Sequence, residues 1–205
     1  DLGAAYADFV RDAYDAGCRY LQLDDVNMAY LCDADMRAKL AERGDDPEEV
    51  MSGWIGVLNT ALAARPDDMT MTTHICRGNF KSQWFAQGGY DPIAERLFNE
   101  LDYDGFFLEY DSERAGGFEP LRFLPKGNKR VVLGLVTTKT GLLEDKDLIR
   151  KRVEQASQFA NLDQLCLSPQ CGFASHEDGN ELSEEQQWAK LREIVELADE
   201  IWSDA

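Results

Sequence analysis

Histidine is scarce in this chain, whose 205 residues include only His74 and His176. The sequence also lacks a glycine-rich phosphate loop after any predicted strand, and it has no apolar run of the roughly 18 residues that span a bilayer. Basic residues are few, since 21 Lys and Arg stand against 39 Asp and Glu for a net charge of −18. Such an acidic surface repels nucleic acid and anionic membranes, so neither is expected as a partner.

The five cysteines are odd in number and irregularly spaced, which does not suggest a disulfide framework. The first residues, DLGAAYADFV, have neither the basic segment nor the continuous apolar segment of a signal peptide. A reducing, cytoplasmic location is therefore expected, where a cysteine near a histidine is more typical of a ligand or nucleophile than of a disulfide. Cys18, Cys32 and Cys166 are interpreted as structural cysteines.

Predicted strands alternate with predicted helices along the chain. Apolar segments predict five strands, which are CRYLQLDD, DMTMTTHIC, YDGFFLEYD, KRVVLGLVTT and LDQLCLSP. Amphipathic helices separate these segments, and a last helix ends the chain. Strands that alternate with helices predict a parallel sheet with right-handed crossovers.

Capping residues mark the boundaries of the predicted helices. Gly17 is expected to terminate the first helix, and Asp45 or Asp46 to cap a later helix that has Pro47 in its first turn. Asp91 is expected to cap the helix in DPIAERLFNEL, with Pro92 at its first position. Ser183 and Gln186 form the capping-box pattern before the last helix.

Polar or reactive residues end four of the five predicted strands, and Cys171 follows the fifth. Chemistry at the carboxyl ends of parallel strands is typical of a βα barrel or a doubly wound sheet, and the missing phosphate loop favours the barrel. A (β/α)₈ barrel takes about 200 to 250 residues or more. The chain is therefore predicted to be one α/β domain over residues 1–205, with five βα units of a barrel and about three missing.

Four residues at these strand ends have the chemistry of a zinc site. His74 and Cys76 are two positions apart, so both side chains point to one face if the strand continues that far. Glu109 ends the next strand, and Cys171 follows the last one. Zinc binds imidazole, thiolate and carboxylate ligands, and the carboxylate is the ligand that an incoming thiol would replace. For each residue alone, packing is the alternative.

The segments THICRGNF, FFLEYDSER and LSPQCGFAS resemble the zinc-site segments of the cobalamin-independent methionine synthase family, especially its short, single-barrel branch. The order and spacing of these motifs agree from LQLDD to the terminal helix. The resemblance implies a (β/α)₈ TIM barrel like that of uroporphyrinogen decarboxylase, with Zn²⁺ on the same four residues. It also implies a methyltransferase in which zinc holds homocysteine as a thiolate, and this thiolate attacks the methyl group of a methylated folate.

The resemblance also suggests residues that bind the substrate. It assigns a contact with the homocysteine amino group to Asp24, with Asp25 as its neighbour; the alternative is a carboxylate that caps the next helix. Arg77, Asn79 and Arg114 lie beside the expected ligands in the sequence, and they are candidates for binding the anionic part of a substrate.

The chain departs from the larger family on the strand before the last. The family has an Asp-x-His pair there, where this chain has Thr137 and Lys139. Lys139 could donate a proton or bind a carboxylate, which leaves the methyl donor open. His176 is interpreted as a loop residue, and Trp84 as part of a loop that closes over the site.

Two other functions remain open at this point. One is alkyl transfer to another thiol, such as coenzyme M reacting with an epoxide; the other is a non-catalytic zinc-binding barrel fragment. Asp24 facing the zinc would favour an amino-bearing thiol, whereas Arg or Lys alone would favour a sulfonate. Because five strands leave two open sheet edges, either residues are missing or a further segment or subunit completes the barrel.

Overall fold

The computed structural model describes residues 1–203, and its strands form a parallel sheet in which the spatial order equals the chain order. The five strands are β1 (Tyr20–Asp25), β2 (Thr70–Ile75), β3 (Gly105–Glu109), β4 (Arg130–Val136) and β5 (Leu165–Pro169). Each strand lies inside a segment that the sequence predicts as a strand, so the prediction of strand number and position is confirmed.

Helical segments separate the strands, and between β3 and β4 these segments are 3₁₀ turns only. The α-helices of the described residues are α1 (Leu2–Asp15), α2 (Asn27–Tyr30), α3 (Ala34–Glu42), α4 (Pro47–Leu62), α5 (Ala94–Glu100), α6 (Lys146–Ala156) and α7 (Glu184–Ile201). Short 3₁₀ turns cover Glu113–Ala115, Glu119–Phe123 and Leu162–Gln164. No helix within residues 1–203 combines the length and the apolar character needed to cross a membrane.

The strand order identifies the architecture. In a doubly wound sheet the order reverses at a switch point, and helices then cover both faces. Here the order β1-β2-β3-β4-β5 never reverses, so successive right-handed crossovers place the helices on one face. The sheet therefore has the arrangement of five consecutive units of a βα barrel, as the sequence predicts.

The two faces of the sheet differ in chemistry. The outer face, under the helices, is apolar and includes Met71, Phe106 and Val131, each with no exposed surface. Each such side chain contributes about 1.5–3 kcal/mol when fully buried. The inner face carries the alternate residues; His74 and Phe107 are paired there and line a cavity. This alternation places several polar strand residues, among them Gln22, Asp24 and His74, on the inner face.

Most predicted helix boundaries are confirmed. Asp46 caps α4, because its side chain accepts a hydrogen bond from the Glu48 amide at 2.8 Å. Both hydrogen bonds of the capping box between Ser183 and Gln186 are present at the start of α7. Gly17 follows the end of α1 with a φ of +100°, in the left-handed region that glycine adopts without strain.

The predicted cap at Asp91 is wrong. The backbone first makes a turn in which the carbonyl of Tyr90 accepts from the amides of Ile93 and Ala94, and α5 starts only at Ala94. The Asp91 carboxylate instead pairs with Arg122 at 3.0 Å. A tertiary ion pair and a turn thus replace the local cap that the sequence suggests.

Candidate metal site

Three of the four predicted ligands lie together at the carboxyl ends of the strands. The ligand atoms of His74, Cys76 and Cys171 are all within 4.8 Å of one another, and the two sulfur atoms are 3.3 Å apart. Strand β2 ends at Ile75, but the Cys76 amide still donates to the Asp25 carbonyl at 3.1 Å. This extra hydrogen bond extends the strand geometry, so Cys76 points to the same face as His74.

The pKa values of the two cysteine thiols are shifted in opposite directions, so the pair holds a single proton at neutral pH. A hydrogen bond from the Cys171 thiol, assisted by the Gly78 amide at 3.3 Å, lowers the pKa of Cys76 to about 4. The same interaction raises the pKa of Cys171, since a second negative charge beside the Cys76 thiolate is unfavourable. The pair therefore presents one thiolate at neutral pH, which is the form that binds metals.

His74 faces this negative charge. Burial by itself would lower the pKa of His74, but a hydrogen-bonding interaction with the Cys76 side chain and the negative charges of Cys76, Asp24 and Glu109 outweigh burial, so the pKa is raised. Its Nε2 atom is buried and has no hydrogen-bond partner in the described part of the chain. A buried ring nitrogen without a partner, on a side chain that lies beside two cysteines, fits a metal ligand.

Glu109 is the fourth predicted ligand and lies at the border of the cluster. Its side chain is fully buried, with Oε2 4.0 Å from Cys171 Sγ, and Oε1 accepts a hydrogen bond from Arg114. Burial raises the pKa of Glu109, although the positive charges of Lys139 and Arg114 oppose this rise. The carboxylate is thus close to the sulfur atoms and is held by an arginine.

These donors fit a zinc ion. One imidazole, two thiolates and one carboxylate are ligands that zinc accepts in a tetrahedral site. The unpaired His74 Nε2 and the close approach of the two sulfur atoms are both compatible with a shared metal ion. His74, Cys76 and Cys171 would hold it, with Glu109 as the fourth ligand.

A cavity of about 390 Å³ opens beside the four candidate ligands on the inner face. Asp24 lines this cavity, and in the sheet it pairs directly with His74. Asp25 does not line it; its carboxylate accepts hydrogen bonds from the amides of Asn27 and Met28 at 2.8 and 3.1 Å. The structure therefore brings Asp24 to the site and uses Asp25 at the start of α2.

Arg77 and Asn79 do not line the cavity, although both lie close to Cys76 in the sequence. Arg77 follows Cys76 and so points away from the inner face; it is fully buried, with its guanidinium 4.5 Å from the centre of the Tyr90 ring. Asn79 Nδ2 donates to the carbonyl of Gly172 and to Ser175 Oγ, both at 2.8 Å. Asn79 thus connects the loop after β2 to the loop that carries Cys171.

Arg114 and Lys139 both lie next to the site. Arg114 pairs with Glu109 and with Asp111, and its guanidinium lies 4.9 Å from the centre of the Trp84 ring. Lys139 Nζ donates to Gln170 Oε1 at 3.1 Å. His176 lies in the loop after β5, as expected, against the ring of Phe80. The structure therefore brings Lys139 and Arg114 to the ligand cluster, and it leaves His176 outside.

Two residues that the sequence reasoning missed also shape the site. Gln170 lines the cavity and orients Lys139; its place directly before Cys171 in SPQCGF was the available signal. Gly134 pairs with Glu109 in the sheet, and a Cβ atom there would come within 3.0 Å of the Leu108 carbonyl. A side chain at this position would push against the strand that carries the carboxylate.

The sequence is similar to those of several known proteins. Residues 1–200 match a family model described as "Cobalamin-independent synthase, Catalytic domain". The chain is 52% identical over 202 residues to "Uncharacterized protein YxjG" of Bacillus subtilis (strain 168), a match that covers 98% of this chain and 53% of that protein. It is 31% identical over 133 residues to "Methionine synthase" of Methanothermobacter marburgensis, which covers 65% of this chain and 37% of the relative.

A solved structure supports the same grouping. The putative vitamin-B12 independent methionine synthase from Listeria monocytogenes superposes with a TM-score of 0.78 at 45% identity, covering 98% of this chain and 54% of that one. This agreement confirms the α/β barrel fold class. The chain spans about half the length of the relatives YxjG and this synthase.

Proposed function

Because the chain belongs to the family of cobalamin-independent synthase catalytic domains, we propose that it serves zinc-dependent methyl transfer to a thiol, with homocysteine as the acceptor. The observation that carries this proposal is the cluster of His74, Cys76 and Cys171, with Glu109 beside it, at the edge of the cavity. Because these ligands lie at strand ends next to a cavity, a metal ion that they bind would be accessible to a substrate sulfur.

The chemistry follows from the charges of the site. A free thiol with a pKa of about 8.5 is mostly protonated at neutral pH. Bound zinc supplies the Lewis acidity that keeps a coordinated thiol deprotonated and nucleophilic. The thiolate sulfur forms a bond to the methyl carbon, the bond from that carbon to the donor breaks, and the donor atom gains the electron pair and a proton. Homocysteine then becomes methionine.

The chain's own residues orient the reactants. Asp24, next to His74 on the inner face, is placed to bind the ammonium group of an amino-acid thiol. Lys139, which Gln170 holds at 3.1 Å, is the candidate source of the proton for the departing donor. A methylated folate is the donor of the family that the sequence resembles, and it remains the proposed donor here.

The carboxylate of Asp24 in the cavity also discriminates between the two candidate thiol substrates. A sulfonate thiol such as coenzyme M would face the Asp24 carboxylate, and like charges repel. An amino thiol gains an ion pair at the same position. The geometry thus favours homocysteine over an alkyl transfer to a sulfonate thiol.

The proposal is tested by metal content and proton release. We expect the purified protein to hold about one zinc per chain and to release a proton when homocysteine binds. His74→Ala should lower the zinc affinity by more than the roughly 10- to 100-fold loss typical of residues that only support a ligand. His176→Ala is the matched control, because that side chain is 41% exposed and lies outside the cluster.

Two results would count against the proposal. A zinc content far below one per chain in protein prepared without chelators would remove the metal site. Zinc binding without homocysteine-dependent proton release would instead support a non-catalytic zinc-binding barrel fragment.

A further inference from the structure

Glu109 has two competing partners. Its Oε1 accepts a hydrogen bond from Arg114 Nη2, whereas Oε2 faces the sulfur of Cys171 at 4.0 Å. A carboxylate that binds a metal and a guanidinium at the same time binds each of them more weakly than it would bind either one alone. The position of Glu109 is therefore set by Arg114 as well as by the metal ligands.

The surroundings of Arg114 are built to hold a carboxylate. Its side chain is only 9% exposed, and it lies in the 3₁₀ turn directly after β3. Nη2 also donates to Asp111 at 3.1 Å, and the guanidinium rests over the Trp84 ring. Nη1 is buried and has no hydrogen-bond partner within residues 1–203. This free donor lies on the guanidinium that already contacts Glu109, so it is available for a second hydrogen bond to a carboxylate.

The cost of moving Glu109 explains why such a partner is needed. A buried carboxylate that leaves a metal without finding another partner is strongly destabilised. Arginine binds a carboxylate through two parallel hydrogen bonds, which is the strongest pairing that a side chain offers it. Arg114 can therefore receive the carboxylate without exposing it to water.

We propose that Arg114 is a positioning residue that takes over the Glu109 carboxylate when the substrate thiol enters the metal site. The inference rests on the proposed zinc–thiol function and adds a residue that determines how readily the thiol replaces Glu109. Asp111 moderates this effect, because it accepts a hydrogen bond from the same Nη2 atom.

Two substitutions should act in opposite directions. Arg114→Met removes the receiving group, so homocysteine should bind roughly 10- to 100-fold more weakly, the range expected for a lost hydrogen bond to a charged group. Zinc binding without thiol should be unchanged or tighter, since Glu109 then has only the metal as a partner. Asp111→Asn frees Arg114 for Glu109, so homocysteine should bind more tightly and zinc alone more weakly.

The measurements are zinc affinity by chelator competition and homocysteine affinity by calorimetry, both on the purified zinc-loaded protein and its variants. Arg114→Lys, which keeps the charge but loses the fork geometry, should lie between wild type and Arg114→Met. Arg122→Met is the control, because Arg122 is 47% exposed and its ion pair within residues 1–203 is with Asp91, which does not line the cavity.

The outcomes separate this inference from the proposed function. If the wild-type protein binds no zinc or no homocysteine, the proposed function fails and the role of Arg114 fails with it. If wild type binds both and Arg114→Met weakens zinc binding as much as thiol binding, Arg114 is only structural. Changes of the same sign in Arg114→Met and Asp111→Asn would also overturn the inference. If Arg114→Met does not fold, Arg114→Lys and Asp111→Asn still decide the sign.

Discussion

Two adjacent aspartates at the end of β1 show how strongly one position along a strand decides a residue's role. Asp24 lies on the inner face beside His74, while Asp25 lies on the other face. The Asp25 carboxylate binds the first amides of α2, and burial raises its pKa. The same type of side chain thus faces the cavity at one position and supports local structure at the next.

Replacing each aspartate by alanine should therefore have separate effects. Asp24→Ala should weaken homocysteine binding about tenfold or more, because an ion pair with the ammonium group is lost, and should leave stability unchanged. Asp25→Ala should lower the free energy of unfolding by about 0.5–2 kcal/mol through the two lost hydrogen bonds to the amides of Asn27 and Met28, and should leave thiol affinity unchanged. Calorimetric binding and urea denaturation measure the two effects; equal loss of binding in both variants would contradict the assignment.

Among the helices, α3 has a cap that also joins two parts of the chain. The Asp33 carboxylate accepts hydrogen bonds from the Asp35 and Met36 amides, and its other oxygen accepts from the Gln87 amide at 3.0 Å. Burial by itself would raise the pKa of Asp33, but these hydrogen bonds lower it overall. The cap thereby anchors the segment that leads from the Cys76 loop to α5.

Asp33→Ala should lower the free energy of unfolding by about 1–2 kcal/mol at pH 7, since a cap and a long-range hydrogen bond are lost. Because the folded-state pKa of Asp33 is lowered, its contribution is present above the unfolded value of about 3.9 and is lost as the pH falls through the folded value. The difference between wild type and variant should shrink at pH 3. Denaturant unfolding at both pH values measures it, and a constant difference would argue against an ionic cap.

In the molecule as a whole, the candidate metal ligands cross-link parts that are far apart in the sequence. His74 and Cys76 lie at the end of β2, Glu109 ends β3, and Cys171 follows β5. Cys76 and Cys171 are 95 positions apart in the chain. A metal bound by the folded state alone would stabilise the arrangement of all these strands.

Removal of zinc should therefore lower the thermal stability of the protein. With free zinc at 100 times its dissociation constant, binding contributes about 2.7 kcal/mol, which corresponds to a shift in Tm of roughly 5–11 °C for a domain of this size. Thermal unfolding with zinc and with a chelator measures the shift. His74→Ala should show almost no shift, and His176→Ala the full one; a full shift in His74→Ala would place the zinc elsewhere.

Much of this protein follows from its sequence. Alternating apolar strands and amphipathic helices predicted the parallel sheet, and the two-residue spacing of His74 and Cys76 predicted their shared face. Their positions at strand ends made Glu109 and Cys171 the other candidate ligands, and the resemblance of three short segments to a family implied the same role for them. These features are local or depend on strand periodicity, so neighbouring residues specify them.

Only the tertiary structure decided the rest. It placed Arg77 in the core and used Asn79 to connect two loops, although both stand next to a ligand in the sequence. It also paired Arg114 with Glu109 and started α5 after Asp91. These outcomes depend on which distant groups compete for a charge or hydrogen bond, and the sheet brings those groups together only when the chain has folded.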